Sequence, residues 1–496
     1  MIIFARKKEA IFIILLLIIG GFLRLYRFRQ TMQFFGDQGR DAIIAKQILI
    51  DHNLTLIGPV TSVGNMYLGP FYYYFMVPWL ALTYPNPIGP AIAVAIISIL
   101  TIPLLYFITK KILDQPSAII ASIFYTFSST VTASARFSWN PNLAPLFGLL
   151  IIYSLYYLLV KKKTVGVFWT LLFFGILIQL HYLTVLIFPT IILNVFLSFK
   201  QSQNRIQIIK HTLFGMLVFF ILSLPLILFD IRHDLINYQA LKEFLTSSQE
   251  HIRPTNKIIS TIIEFQGKAY RVLAQLIVKP KDLTDRLLTL ISIVGSIWLL
   301  VTTKVKAQKQ SLLIIIALIT FSIIGLSFYT SPIFDHYLGF LYPAVFILLG
   351  SILAKIWKLN LFSKALVVSF SLWLIFVQLE KTPALSSVGV NVTDIQQTAD
   401  LIVHNAEGLS RYNLTLFSHT RDFKALNYRY FLETTSHPPQ SPDDYGKLDA
   451  LYIISEPPHA DDPFTSDAFE IQYPNLKTID TIFFGPKNIK VYKAIR

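Results

Sequence analysis

The chain has 496 residues, of which 54% are hydrophobic and only 14% charged, and this is too apolar for a water-soluble fold, so most of it must lie in lipid. The formal net charge of +15 does not point to nucleic acid, because the Lys and Arg residues fall in short clusters between apolar stretches rather than along one face. The absence of cysteine excludes disulfides and thiolate metal sites.

Apolar windows of about twenty residues, enough for a helix to cross roughly 30 Å of hydrocarbon, recur from residue 9 to residue 379. They predict a mainly α, polytopic membrane protein with about eleven transmembrane helices, near 9–28, 88–109, 117–135, 142–160, 165–180, 182–199, 212–229, 287–303, 311–329, 337–353 and 361–379. The first window follows Arg6-Lys7-Lys8 as a secretory signal would, but it lacks a small-residue cleavage site and many spans follow, so it reads as a retained anchor. Residues 68–84, LGPFYYYFMVPWLALTY, are short and aromatic and read as an interfacial or re-entrant helix; a full span is the other reading.

With the N-terminus cytoplasmic, the connectors holding Lys110-Lys111, Lys161-Lys162-Lys163, residues 200–210, 304–309 and 355–364 all face the cytoplasm, as the positive-inside tendency requires. The outer face then receives a first loop (29–87), the turns at 136–142, His181-Tyr182 and 331–337, a second loop (230–286), and everything after about residue 380. The expected site is thus the outer face of a cytoplasmic membrane, with 1–379 as membrane module and 380–496 as an extracytoplasmic domain.

That last segment has soluble composition, with acidic and Pro-rich stretches such as SPDDYG and PPHADDP. Thr393 and Gln396 have capping-box spacing before a predicted helix over 394–406 that ends ahead of Gly408. LTLFS (414–418), ALYIIS (450–455) and the runs TIDTIFF and IKVYKAI around Gly485-Pro486-Lys487-Asn488 predict strands, the last two a hairpin, in a small α/β domain. No catalytic motif is visible in it, and acceptor contact or structural support are its expected roles.

The first outer loop opens FFGDQGRDAIIAKQIL, where Asp37, Arg40 and Asp41 share about one helical turn. Such a helix presents two carboxylates and a guanidinium to the membrane surface, which suits deprotonation of a hydroxyl and retention of a phosphate; a self-paired surface helix is the plain alternative. Arg136, in ARFSWNPN, reads as a phosphate ligand or an interfacial anchor beside Trp139, and His181 as a proton shuttle, a phosphate ligand or a turn residue. The loop 230–286, with Arg232, His233, Asp234, Lys242, Glu243 and Arg271, reads as a cover over the site or a connector. Asp37, Asp41, Asp335 and His336 suit a divalent ion, though no spacing demands one.

The N-terminal anchor, the outer loop beginning Gly36-Asp37-Gln38-Gly39-Arg40-Asp41-Ala42, the later Gly69-Pro70-Phe71-Tyr72-Tyr73-Tyr74 and the C-terminal outer segment together resemble the GT-C superfamily. The nearest group is the bacterial enzymes related to dolichyl-phosphate-mannose protein mannosyltransferases (glycosyltransferase family 39) and to the aminoarabinose transferases of lipid A. The resemblance implies an inverting glycosyltransferase, hexosyl or pentosyl, that moves a sugar from a polyprenyl-phosphate donor to a protein, lipid or glycan acceptor and requires no cofactor. It implies Asp37 as catalytic base, with Asp41 standing in for the Glu that Gln38 replaces, and Arg40, with Arg136 and His181, as ligands of the donor phosphate. Gln38, Tyr67, Tyr72, His336 and Tyr337 are the implied substrate contacts, while Leu68-Gly69 replaces the acidic and Lys residues that some relatives place before the proline. A lipid flippase or exporter is the alternative, and a non-catalytic scaffold a third; a transporter should carry mid-membrane ionisable residues and internal repeats, and the sequence shows neither.

Overall fold

The computed structural model describes residues 2–61, 66–247, 257–278, 282–329, 332–386, 389–417, 422–457, 463–466, 468–476 and 478–495. Parts of several expected features, namely residues 64–65, 248–256, 279–281, 331, 418 and 458–462, lie outside that set.

Every apolar window is helical, because lipid offers the backbone no other partner. Among the described residues eight helices are long and apolar enough to cross a membrane. Two windows depart from a single continuous helix. The window at 117–135 breaks at Ser128, between helices Gln115–Phe127 and Ser129–Ser134. There the Ser128 hydroxyl accepts from the Val131 amide, and Gln378 enters the gap, accepting from the Ser129 amide at 2.7 Å and donating to the Ile277 carbonyl at 2.6 Å. The window at 182–199 starts as a 3-10 turn, Tyr182–Ile187, before the helix Phe188–Gln201.

The helix over Asp335–Trp357 is the hub, with its entire apolar window buried, whereas only 6% of the window in Arg205–Arg232 is buried. The latter shows Leu213, Leu217, Phe220, Ile221 and Leu224 to the outside, an arrangement stable only against lipid. The protein is therefore a multi-pass membrane protein.

Polar contacts fix which helix ends lie together. The anchor helix Ile2–Leu25 runs antiparallel to Ile88–Ile112, with Glu9 bound to Lys110 at 2.5 Å near one end and Arg24 Nε donating to Ser98 Oγ at 2.9 Å toward the other. At the first end Lys358 binds Asp114 at 2.7 Å and Gln308 Nε2 donates to the Leu113 carbonyl at 2.7 Å, so the lysine-bearing connectors converge there.

The aromatic stretch after residue 68 forms the helix Phe71–Ala81, whose 11 residues rise only about 16 Å and cannot cross the hydrocarbon layer. Beyond the last long helix, Leu361–Glu380, comes a four-stranded sheet of order β1-β2-β4-β3: β1 (Tyr412–Phe417) parallel to β2 (Ala450–Ser455), and β4 (Lys490–Ile495) antiparallel to both β2 and β3 (Thr478–Phe484). The expected hairpin is present. The preceding helix spans Val392–Asn405, and its capping box is Asn391 with Asp394 rather than Thr393 with Gln396. Asn391 Oδ1 accepts from the Thr393 and Asp394 amides, and Asp394 returns the bond to the Asn391 amide at 3.0 Å, satisfying the exposed donors two residues earlier than expected.

Candidate active site

The acidic helix spans Gly36–Ile50 and starts because Gln38 folds back, its Oε1 accepting from the Phe35 amide at 2.8 Å, while Asp37 complements the positive helix end. Gln38 is spent on this cap and is buried, so it is a helix-starting residue rather than a substrate contact. Arg40 forks between the two carboxylates: Nη1 reaches Asp37 Oδ1 at 2.8 Å, and Nε and Nη2 reach Asp41 Oδ1 at 3.0 and 2.8 Å. Tyr73, from the short aromatic helix, donates to the same Asp41 oxygen at 3.2 Å.

The two carboxylates differ in depth. Asp41 has no exposed surface, and its Oδ2 has no hydrogen-bond partner among the described residues, whereas the Asp37 side chain is 48% exposed. Burial outweighs the Arg40 charge and pushes the Asp41 carboxyl up to about 6. Burial opposes the Arg40 charge as well, but Asp41, Tyr73 and Asp37 more than offset it, so the guanidinium stays protonated.

The far side of the acidic helix is closed by the C-terminal segment. A Cβ on Gly39 would lie 2.4 Å from backbone atoms of Leu426 and Asn427, and one on Gly36 would lie 1.9 Å from Asp422 Oδ2. Asp422 is thereby set beside the Asp37–Arg40 pair; burial, with Asp37 adding to it, pushes its carboxyl up to about 6. Sequence reasoning missed this third carboxylate, which no local motif marks. The i,i+3 glycines facing it were the available signal, since side-chain-free positions on a helix permit close backbone approach. Docking is reinforced by Lys46 Nζ donating to the Glu433 carbonyl at 2.9 Å and Tyr430 donating to the Pro85 carbonyl at 2.7 Å.

Asp37 and Arg40 open onto a cavity of about 370 Å³ whose other walls include Trp139, His181, Tyr182, His336 and Tyr337. The Trp139 and His336 rings stack with centroids 4.0 Å apart, and His181 lies 4.4 Å from the Tyr337 ring. His181 Nδ1 accepts from the Leu183 amide at 3.2 Å, which leaves the proton on Nε2. Burial, and next the neighbouring His336, lower its value to about 3, so it is a neutral imidazole that donates a hydrogen bond without a charge. Asp335 is paired with Arg271 of the second outer loop, which also donates to the Ile333 carbonyl at 3.1 Å, so this carboxylate is turned to an internal cation. Among the described residues no three metal-ligating side chains converge.

Leu68 and Tyr182 also border a second cavity, about 620 Å³ and largely apolar, lined by Leu183, Leu186, Phe219, Leu226, Phe244 and Tyr329. Tyr67 lines it too, its amide donating to Asn237 Oδ1 at 2.6 Å, and Leu241 and Phe244 bring the second outer loop over it as a cover.

The structure thus brings Asp37, Arg40, His181, His336 and Tyr337 to one cavity, puts Tyr67 at the adjoining one, and holds Asp41 just behind Arg40. It takes two others elsewhere. Tyr72 is buried with its hydroxyl on Ser138 Oγ at 2.7 Å. Arg136, 1% exposed, donates to the Leu23 carbonyl at 2.9 Å, the Tyr26 carbonyl at 2.7 Å and Thr31 Oγ1, capping the anchor helix where a cation suits the negative helix end.

A sequence profile described as dolichyl-phosphate-mannose-protein mannosyltransferase matches residues 69–229. The whole chain is similar to the apo structure of ArnT from Cupriavidus metallidurans, with a TM-score of 0.58 and 14% identity over 99% of this chain and 98% of that one. The same protein bound to undecaprenyl phosphate gives 0.57 and 13% over the same shares. This is the GT-C fold. The GT-C arrangement is shared with the archaeal oligosaccharyltransferase AglB from Archaeoglobus fulgidus in complex with an inhibitory peptide and a dolichol-phosphate, at a TM-score of 0.51 and 11% identity over 91% of this chain and 70% of that one. No curated protein matches the chain.

Proposed function

We propose that the chain is a membrane glycosyltransferase that moves a hexosyl or pentosyl group from a polyprenyl-phosphate donor to an acceptor hydroxyl, with inversion, at the outer face of a cytoplasmic membrane. The observation that carries this reading is the abutment of the two cavities at Leu68 and Tyr182, a charged one beside a long apolar one, which matches a lipid with a phosphate head and an isoprenoid tail. The ArnT neighbour bound to undecaprenyl phosphate supports it. In this reading residues 1–379 are the catalytic module, residues from 380 are extracytoplasmic, and the lysine-bearing connectors and the N-terminus face the cytoplasm.

The chemistry follows from the charges. The acceptor oxygen attacks the anomeric carbon as the bond from that carbon to the phosphate oxygen breaks. Asp37, the exposed carboxylate, takes the hydroxyl proton, and polyprenyl phosphate leaves with the electron pair. Arg40, held by Asp37 on one side and Asp41 on the other, meets the growing negative charge on the phosphate, and His181 Nε2–H supplies a neutral donor. The Trp139, His336 and Tyr337 rings form a flat wall suited to a sugar face.

The test is Asp37→Asn in proteoliposomes carrying polyprenyl-phosphate sugars, read as release of polyprenyl phosphate. A loss of about 10²–10⁴-fold with unchanged thermal unfolding is expected for a missing base. Undiminished release would remove Asp37 from the mechanism.

A further inference from the structure

A second charged cavity, of about 200 Å³, lies at the other end of the bundle, bordered by Asp114, Ser117, Thr303, Lys304, Lys355 and Lys358. The hub helix fixes its place: that element carries His336 and Tyr337 to the candidate active site at its start and Lys355 and Lys358 to this cavity at its end, across the membrane. Its volume is several times the ~30 Å³ share of one water.

The charges here do not balance. The single acid, Asp114, is already engaged: Oδ1 accepts from the Ser117 amide at 3.0 Å to cap the helix Gln115–Phe127, and Oδ2 binds Lys358 at 2.7 Å. Lys304 and Lys355 have no ion-pair partner among the described residues, and Lys355 has only the Trp298 ring, 5.9 Å from its Nζ. Two ammonium groups brought to one cavity repel each other unless an anion lies between them. Donors without charge stand next to them, because the helix Lys306–Leu326 begins at Val305 with no capping side chain, leaving first-turn amides open beside Lys304. Leu113, Leu299 and Leu312 form the membrane-side wall.

We propose that this cavity binds a phosphate group, with Lys304 and Lys355 as its cationic ligands. Basic cavities at the ends of membrane helices suit anionic headgroups, and the leucine wall continues toward the acyl region, so the phosphate comes from an anionic glycerophospholipid of that leaflet or from free phosphate. The inference is independent of sugar transfer.

The experiment uses the full chain in detergent and reads lipid adducts by native mass spectrometry, with phosphatidylglycerol and zwitterionic phosphatidylcholine supplied at equal concentration and inorganic phosphate as competitor. Wild type and the Lys304→Arg/Lys355→Arg pair should retain phosphatidylglycerol over phosphatidylcholine, and Lys304→Gln/Lys355→Gln should lose that preference at least fivefold with its phosphatidylcholine adduct unchanged. Lysine-dependent thermal stabilisation by inorganic phosphate alone, without a phosphatidylglycerol preference, would support the cavity with free phosphate as the source. Equal phosphatidylglycerol retention by wild type and the glutamine pair, with no lysine-dependent phosphate response, would overturn the proposal. A second measurement needs no variant: if wild type shows no preference for phosphatidylglycerol and no stabilisation by phosphate, the proposal is equally overturned.

Discussion

Gly39 and Leu426 meet backbone to backbone, with no room for a methyl group between the acidic helix and the C-terminal segment. The same face carries Gly36 against Asp422, so the distance from the Asp37–Arg40 pair to the third carboxylate is set by two missing side chains. Part of the candidate site is therefore built by the end of the chain, although Asp37 and Asp422 are separated by most of its length.

Gly39→Ala should push the C-terminal segment outward, because the atoms in its way are backbone and cannot swing aside as a side chain would. Overpacking of this kind costs about 1–3 kcal/mol. The expected result is a lower unfolding temperature together with slower sugar transfer, measured on the same purified sample. Unchanged values of both would show that the two backbones are not in contact.

Asp41 predicts a pH dependence. Its carboxyl titrates near 6 when folded and near its ordinary 3.8 when unfolded, so the folded state holds the proton more tightly. Its contribution to stability is full below pH 4 and is lost as pH rises through about 6. Asp41→Asn removes that dependence, so the variant should gain on wild type between pH 4 and 6 and run parallel to it elsewhere. Thermal unfolding across pH 4–8 measures the difference. A flat difference would mean that the carboxyl does not titrate in that interval.

The membrane helices were legible from the apolar windows because lipid leaves the backbone one solution. The gap at Ser128 was not, since the apolar run continues through it and the reason for the break, Gln378, comes from a helix 249 residues further on. The closing hairpin could be read from its alternation and its Gly-Pro-Lys-Asn turn. The cap at Asn391 lay two residues from the expected Thr393 because both carry suitable oxygens and only the approach of the chain chooses between them. In the site, the turn shared by Asp37, Arg40 and Asp41 was visible from spacing, but the burial that separates the two carboxylates is tertiary. Asp422 was invisible for the same reason, and Arg136 was misleading because its exposed neighbours in ARFSWNPN conceal that its own guanidinium points back to the anchor helix.

Arg136 separates an anchoring role from phosphate binding. Its guanidinium satisfies two carbonyls at the end of the anchor helix, and each carbonyl orphaned by Arg136→Met costs about 1–3 kcal/mol. Burial, with Arg27 adding to it, lowers its value to about 10, which still leaves it charged at neutral pH. The expected outcome is a marked drop in unfolding temperature with the donor KM of the surviving folded protein unchanged. A raised donor KM with normal stability would return Arg136 to the phosphate site.

The apolar cavity makes a prediction about donor length. If it holds the isoprenoid tail, narrowing it penalises long tails and spares short ones that end at its mouth. Ser223 lines the cavity on the helix Arg205–Arg232, with its hydroxyl already bonded to the Phe219 carbonyl at 2.9 Å, so Ser223→Phe adds a ring to the cavity at little polar cost. Excluding as few as two methylene groups forfeits about 1.6 kcal/mol, or roughly tenfold in affinity. The KM for a full-length polyprenyl donor should therefore rise about tenfold or more while kcat holds, since tail binding is the same in the ground and transition states. A donor with a two-isoprene tail should keep its KM. Equal losses for both donors, or none for either, would place the tail along another face of the bundle, and the exposed helix Arg205–Arg232 would then be the next surface to probe.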